Sequence, residues 1–183
     1  MPAPNVLPDA NIRSTSYHVA RVLAQCPNCR SPTRLLALVL PHGHQTLHVD
    51  VADGEGGADS DVDVHDDGDV LAPGEWQDID ANAILFYVEQ ISDDVRRYLL
   101  SLSAHFRFAY SAVTHSSYWA NHCEHCHVLL DDHELHCEPD GPFSPASESA
   151  AAKIELLRMD GPLEAAAAGY TQEPEFFGSM RRG

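Results

Sequence analysis

The stretches Cys26-Pro27-Asn28-Cys29 and Cys123-Glu124-His125-Cys126 decide how this chain is interpreted. In each C-x-x-C pair, the three-residue step places both sulfur atoms on one side of a tight turn, where they can bind one ion. Two such turns supply four thiolates in tetrahedral geometry, a ligand set that suits zinc. The sequence therefore predicts one structural Zn²⁺ per chain, with Cys26, Cys29, Cys123 and Cys126 as its ligands.

The two pairs are far apart in the sequence, and this separation shapes the predicted fold. Residues 30–122, 93 in number, lie between them, whereas a compact zinc ribbon has about 15–20. We therefore expect a split ribbon with other elements inserted, in an α+β fold with a mainly antiparallel sheet. Strand-forming runs occur at Tyr17–Leu23, Thr33–Leu40 and Ala83–Ile91. Ser92 is a good N-cap for one short helix at about 93–104. The sequence pattern of residues 147–159 predicts a C-terminal helix.

Breaker residues divide the chain into three expected parts. Residues 1–15 are predicted to be a flexible N-terminal arm, 16–144 a zinc-stapled α+β domain, and 145–183 a C-terminal helix and tail. The alanines at 165–168 are interpreted as weakly ordered tail. Leu129–His136 is interpreted as a hairpin that turns at Asp131-Asp132.

The charge is strongly negative and unevenly distributed. The chain has 11 Lys and Arg against 28 Asp and Glu, a net charge of −17, and 15 of the acids lie between Asp50 and Asp94. This balance argues against binding to nucleic-acid phosphates or to an anionic membrane. Residues 50–80 are expected to form a solvated acidic loop. A calcium loop starting at Asp59 is disfavoured, because Val64 and Val70 occupy the positions where an EF-hand needs Gly and Glu.

Each cysteine pair is preceded by a strand-like segment, and together they resemble the zinc-ribbon class. More narrowly, Tyr118-Trp119-Ala120-Asn121-His122-Cys123-Glu124-His125-Cys126, with Glu138–Phe143 after it, resembles a segment of uncharacterised bacterial zinc-ribbon proteins. The resemblance implies a metal site and no known activity. His127 stands where that segment has Gly, and Asp131-Asp132 where it has a Gly-Asp turn.

Other interpretations of the cysteines remain open at this stage. Cys26-Pro27-Asn28-Cys29 is similar to the C-P-x-C motif of glutaredoxins, but Pro32 lies where the helix of that motif should continue. Disulfides are disfavoured in a chain without an export signal, because reducing thiols are then expected around it. Unligated thiols are a further alternative, and four thiolates accept iron as well as zinc.

A second metal site is an alternative for the histidine-rich segment 122–137. His133, His136 and Cys137 lie close together, near His122 and the second cysteine pair. If these residues bound a second metal, the protein could be a metal-dependent hydrolase. The H-E-x-x-H, G-x-S-x-G and phosphate-loop motifs are missing. A four-cysteine zinc site has no open coordination position, which favours a structural role over an enzymatic one.

The sequence thus favours a cytoplasmic, zinc-binding, non-enzymatic protein-interaction module. Its acidic loop would steer basic protein partners or mimic nucleic acid, because electrostatic complementarity raises association rates and specificity. No direct nucleic-acid or membrane contact is expected. The partner and the oligomeric state are left open.

Overall fold

The computed structural model describes residues 7, 9–47 and 74–183. Strands hold 48% and helices 15% of these residues. The elements are, in chain order, β1 (Ile12–Ser14), β2 (Tyr17–Gln25), β3 (Pro32–Leu40), β4 (His44–Leu47), β5 (Trp76–Ile79), β6 (Ala83–Ile91), α1 (Asp93–Leu102), β7 (Phe106–Ser111), β8 (Ser116–His122), β9 (Leu129–Leu130), α2 (Asp132–His136), α3 (Glu148–Ala151), β10 (Glu155–Met159), β11 (Leu163–Gln172), a 3₁₀ turn (Phe177–Ser179) and β12 (Arg181–Arg182).

The predicted α+β class with a split zinc ribbon is wrong. The described chain is mostly β, with a nine-stranded sheet curled into a half-barrel and three short α-helices. The strand order in that sheet is β12-β10-β2-β3-β6-β11-β1-β4-β5, and a second sheet has the order β7-β8-β9. Among the strands of the described residues, all pairings are antiparallel except β10 with β12.

Both faces of strand β3 in the large sheet are covered by apolar side chains. Leu36, Leu38 and Leu40 pack into one apolar cluster with Val95 and Leu99 of α1. The alternate residues at 35, 37 and 39 pack into a second cluster on the other face. All six consecutive side chains from 35 to 40 are buried, as expected for a strand covered on both sides. The short helix predicted at about 93–104 is confirmed, with Ser92 Oγ accepting from the Val95 N–H at 3.5 Å.

The C-terminal segment departs most from the sequence-based expectation. The helix predicted over 147–159 is only the four residues of α3, and β10 follows it, paired with β2. The alanines at 165–168 lie in β11, hydrogen-bonded between β6 and β1. Helix-forming residues adopt strand conformation here because distant strands supply their hydrogen bonds. Small side chains also suit the crowded position, where a Cβ on Gly169 would lie 2.2 Å from the Phe86 ring.

The hairpin predicted at Leu129–His136 is also wrong. Only Leu129 and Leu130 form a strand, and α2 begins directly afterwards. The Asp131 side chain accepts from the His133 N–H at 2.9 Å and so caps α2. An aspartate followed by two acids in the first turn favours the start of a helix. This local preference is stronger than the preference of Asp131-Asp132 for a hairpin turn.

Two parts of the predicted organisation fall partly outside the described residues. Of the acidic loop 50–80, the structure describes 74–80, and Asp59, Asp61 and Asp63 lie outside the described residues. Of the N-terminal arm 1–15, residues 1–6 and 8 also lie outside them.

Candidate metal centre

The first cysteine pair lies in the turn that joins β2 to β3. The Cys26 N–H donates to the Ser31 carbonyl at 2.9 Å, and the Arg30 N–H donates to the Cys26 carbonyl at 2.9 Å. Arg30 has φ +60°, a left-handed conformation that lets the chain turn back towards β3. These bonds close the turn around the two cysteines, with Cys26 buried and Cys29 exposed.

The second cysteine pair repeats this backbone geometry in the turn between β8 and β9. The Cys123 N–H donates to the Val128 carbonyl at 2.9 Å, and the His127 N–H donates to the Cys123 carbonyl at 3.0 Å. His127 has φ +59°, so it adopts the left-handed conformation for which glycine is the usual residue. The two turns therefore match residue for residue, although one belongs to the large sheet and the other to the small one.

The four sulfur atoms of these turns come together at one point. All four lie within 4.8 Å of one another, with 3.7 Å between the Sγ atoms of Cys26 and Cys126 and 3.6 Å between those of Cys29 and Cys123. In a tetrahedral site with Zn–S bonds of about 2.3 Å, neighbouring sulfur atoms are about 3.8 Å apart. The cluster is thus compatible with a zinc site.

Hydrogen bonds around the cluster favour thiolate at two of the four positions. The Asn28 side-chain amide donates to Cys126 Sγ at 3.4 Å, and with a backbone N–H it lowers the pKa of Cys126 to about 6. The Cys126 N–H donates to Cys123 Sγ at 3.5 Å and is the first cause of the lowered pKa of Cys123. Burial instead raises the pKa of Cys26 to about 11. A metal ion would compensate that cost, because it binds the deprotonated form.

Two polar contacts join the cysteine turns to each other besides the sulfur atoms. The Glu124 N–H donates to Thr33 Oγ1 at 3.0 Å, and Thr33 is fully buried. His125 Nε2 lies 3.1 Å from the Pro32 carbonyl oxygen. Both contacts run from the second turn to the start of β3, so the protein itself holds the two pairs in register.

The residues of the alternative second site do not form a comparable cluster. Within residues 7, 9–47 and 74–183, the four cysteines are the only group of three or more metal-ligating side chains that converge. His133 is exposed and pairs with Glu138 at 3.4 Å. His136 is buried and stacks on Phe143 with 4.9 Å between ring centroids, and Cys137 is exposed.

Two buried polar side chains on α2 were missed by the sequence interpretation. Asp132 and His136 lie four residues apart on α2 and are 3% and 4% exposed. Asp132 Oδ2 accepts from the Tyr87 N–H at 2.7 Å, and His136 Nδ1 has no hydrogen-bond partner in the described structure. Burial raises the pKa of Asp132 to about 7 and lowers that of His136 to about 3. The i, i+4 spacing of Asp132 and His136 was the signal that the sequence offered. It does not reveal their burial, which depends on the packing of α2 against β6.

These two shifts have opposite effects on the pH dependence of stability. Because the pKa of Asp132 is raised, this residue makes a stabilising contribution to the free energy of unfolding. That contribution is complete below about pH 4 and is lost as the pH rises to about 7. Because the pKa of His136 is lowered, its stabilising contribution is complete above about pH 6.5 and is lost as the pH falls to about 3. Between about pH 4 and 6.5 the two slopes therefore nearly cancel.

Replacing Asp132 with asparagine is expected to remove one of these slopes. The free energy of unfolding of Asp132→Asn should rise relative to that of the unaltered protein by about 3 kcal/mol between pH 4 and 6.5. Urea unfolding of both proteins across this range measures the difference, in which the contributions of other groups cancel. Parallel pH profiles would contradict the assignment. Asp140→Asn, at an exposed aspartate, is the control.

Comparisons with known proteins supply no further identification. No helix among the described residues combines the length and apolar character needed to cross a membrane. No family model, no curated protein and no solved structure matches this chain. The zinc-ribbon resemblance therefore has no family match behind it, and the four-cysteine cluster, which is compatible with zinc, is what the structure contributes.

Proposed function

We propose that this chain binds one Zn²⁺ through Cys26, Cys29, Cys123 and Cys126, and that the ion is structural. The observation that carries the proposal is the convergence of the four sulfur atoms within 4.8 Å. Four thiolates complete the tetrahedral shell of zinc and leave no position for water or substrate. Such a centre stabilises the protein and does not itself perform catalysis.

The mechanical role of the ion follows from the elements that carry its ligands. One pair lies in the β2–β3 turn of the large sheet, and the other in the β8–β9 turn of the small sheet. The ion thus closes a loop of 93 residues and fixes one sheet against the other. Cys26 and Cys123 also belong to the second apolar cluster of the core, so the metal and the core stabilise the same region.

Metal content of the full chain tests the proposal. After production in medium that contains both zinc and iron, elemental analysis should find one zinc and no iron per chain, because zinc is the common ion of closed four-thiolate structural sites. The Cys29→Ser variant should lose it, whereas Cys137→Ser, at an exposed cysteine outside the cluster, should keep it. Bound iron would contradict the choice of metal, and a metal-free chain would contradict the site.

We further propose that the protein works by binding a basic protein partner. The support is the charge distribution: residues 35–95 contain 15 acids and no Lys or Arg. Immobilised poly-L-lysine is a suitable probe. Capture of the full chain should weaken as salt increases and should fall when residues 53–69 are replaced by a Gly/Ser segment of equal length. Equal capture of the two proteins at low salt would contradict this proposal and leave the metal centre unaffected.

A further inference from the structure

A cavity of about 370 Å³, which none of the cysteines lines, lies against the first half of α1. It is bordered by the start of β2, the N-terminal turn of α1 and the turn between β10 and β11. Its volume is within the range of small-molecule sites. The lining residues are Tyr17, Ser92, Asp94, Val95, Tyr98, Met159, Asp160, Gly161, Pro162 and Glu164.

The inner surface of this cavity is apolar and aromatic. Tyr17 and Val95 are almost fully buried, at 4% and 2% exposure, and both belong to the main apolar cluster. Tyr98 and Met159 are partly buried and pack against the same cluster. Tyrosine rings attract cations through their electron-rich faces, and apolar walls suit an alkyl chain. The two properties together favour a ligand with a positive head and an apolar stem.

The charge of the lining selects a cation over an anion. Asp94, Asp160 and Glu164 contribute three carboxylates, and no Lys, Arg or His lines the cavity. Asp94 and Asp160 form ion pairs with Arg97 and Arg158, but these are exposed pairs on the outer surface. Such pairs are weak and leave carboxylate lone pairs free for a ligand.

The same carboxylates do not fit a bare metal ion. Their oxygen atoms fail to converge within 4.8 Å, since no such group besides the four cysteines occurs in the described residues. The Tyr17 and Tyr98 hydroxyls and the three carboxylates supply spaced hydrogen-bond acceptors in the lining. Spaced acceptors and aromatic walls match an ammonium group with several N–H donors better than they match a small ion.

From this cavity we propose that the protein binds a primary alkylammonium ion, held between Tyr17 and Tyr98 with Asp160 and Glu164 at its rim. A lysine side chain of another protein and a free alkylamine carry the same group. The proposal depends neither on the metal nor on residues 53–69, so its failure is distinguishable from failure of either proposed function.

The methionines provide a direct measurement. The chain has three, of which Met159 lines the cavity and Met180 is buried in the other apolar cluster. In the full chain labelled with ¹³C-methyl methionine, Nα-acetyl-lysine N-methylamide should shift the Met159 signal and leave Met180 unchanged. The norleucine analogue, which lacks the charge, should bind at least about tenfold more weakly at low salt. If the lysine probe binds more tightly than n-butylamine, the ligand is a lysine side chain of another protein. If n-butylamine binds more tightly, the ligand is a free alkylamine.

Two variants and one control complete the test. Tyr98→Leu keeps an apolar wall without the ring and should weaken binding about threefold or more, and Asp160→Asn with Glu164→Gln should weaken it further. The control is Glu175→Gln in a second cavity of about 390 Å³, which has acids but no tyrosine; it should bind the probe normally. Equal binding of the lysine and norleucine probes, or no Met159 shift, would overturn the proposal.

Discussion

Replacing Cys123 with serine is expected to release the metal and to lower the free energy of unfolding by more than about 4 kcal/mol. Loop closure accounts for much of this effect. The ends of a 93-residue loop cost about 4 kcal/mol to bring together, by (3/2)RT ln n. The proposed ion would offset much of that cost, whereas in the variant only the contacts at Pro32 and Thr33 and the shared apolar cluster remain to do so. Cys123 is fully buried, so the serine hydroxyl would also lose its contact with water.

Urea unfolding with and without a chelator measures this effect. The chelator should destabilise the unaltered protein and leave Cys123→Ser unchanged, because the variant has no metal to lose. Adding Cys29→Ser, at an exposed ligand position, should cost little more, since both changes remove the same ion. Cys137→Ser is the matched control and should unfold like the unaltered protein. If the chelator changes nothing in the unaltered protein, the cysteines are not a metal site that stabilises the fold.

Replacing Asn121 with alanine is expected to destabilise the protein by about 2–5 kcal/mol. The buried Asn121 side chain accepts from the Leu36 N–H at 2.9 Å and donates to the Leu36 carbonyl at 3.0 Å. At Leu36 the Asn121 side chain makes the two hydrogen bonds that a neighbouring strand would otherwise make, because β6 pairs with β3 only at Val39 and Leu40. Alanine would leave two buried backbone groups without partners, at about 1–3 kcal/mol each.

The chain contains a matched control for this prediction. Asn11 makes the same pair of bonds with the Ala167 backbone, at 3.0 and 2.8 Å, but Asn11 is only half-buried. Water can replace its bonds, so Asn11→Ala should cost about 1 kcal/mol. Thermal or urea unfolding of both variants gives the comparison. Similar losses in the two would show that burial of Asn121 is not what makes its bonds important.

Sequence patterns predicted the elements that depend on neighbouring residues. The C-x-x-C pairs indicated the cluster, the strand-forming residues of Ala83–Ile91 indicated β6, and the Ser92 cap indicated α1. The errors occur where distant strands decide the structure. The alanines of β11 are helix formers by propensity and become strand because β6 and β1 flank them. Asp132 and His136 are polar in sequence, and only tertiary packing buries them.

The position of β11 in the large sheet affects how the protein can be made. Within the described residues, β1, β4 and β5 are linked to the rest of that sheet through β11, and β11 comes from residues 163–172. The ribosome synthesises these residues well after those of β6, so β6 has an unpaired edge until β11 is complete. The first cysteine pair likewise lacks its partner until the second pair has been synthesised. Such edges pair with other chains. Slow synthesis or premature termination before residue 163 should therefore yield aggregates, in which the early strands bind each other between molecules.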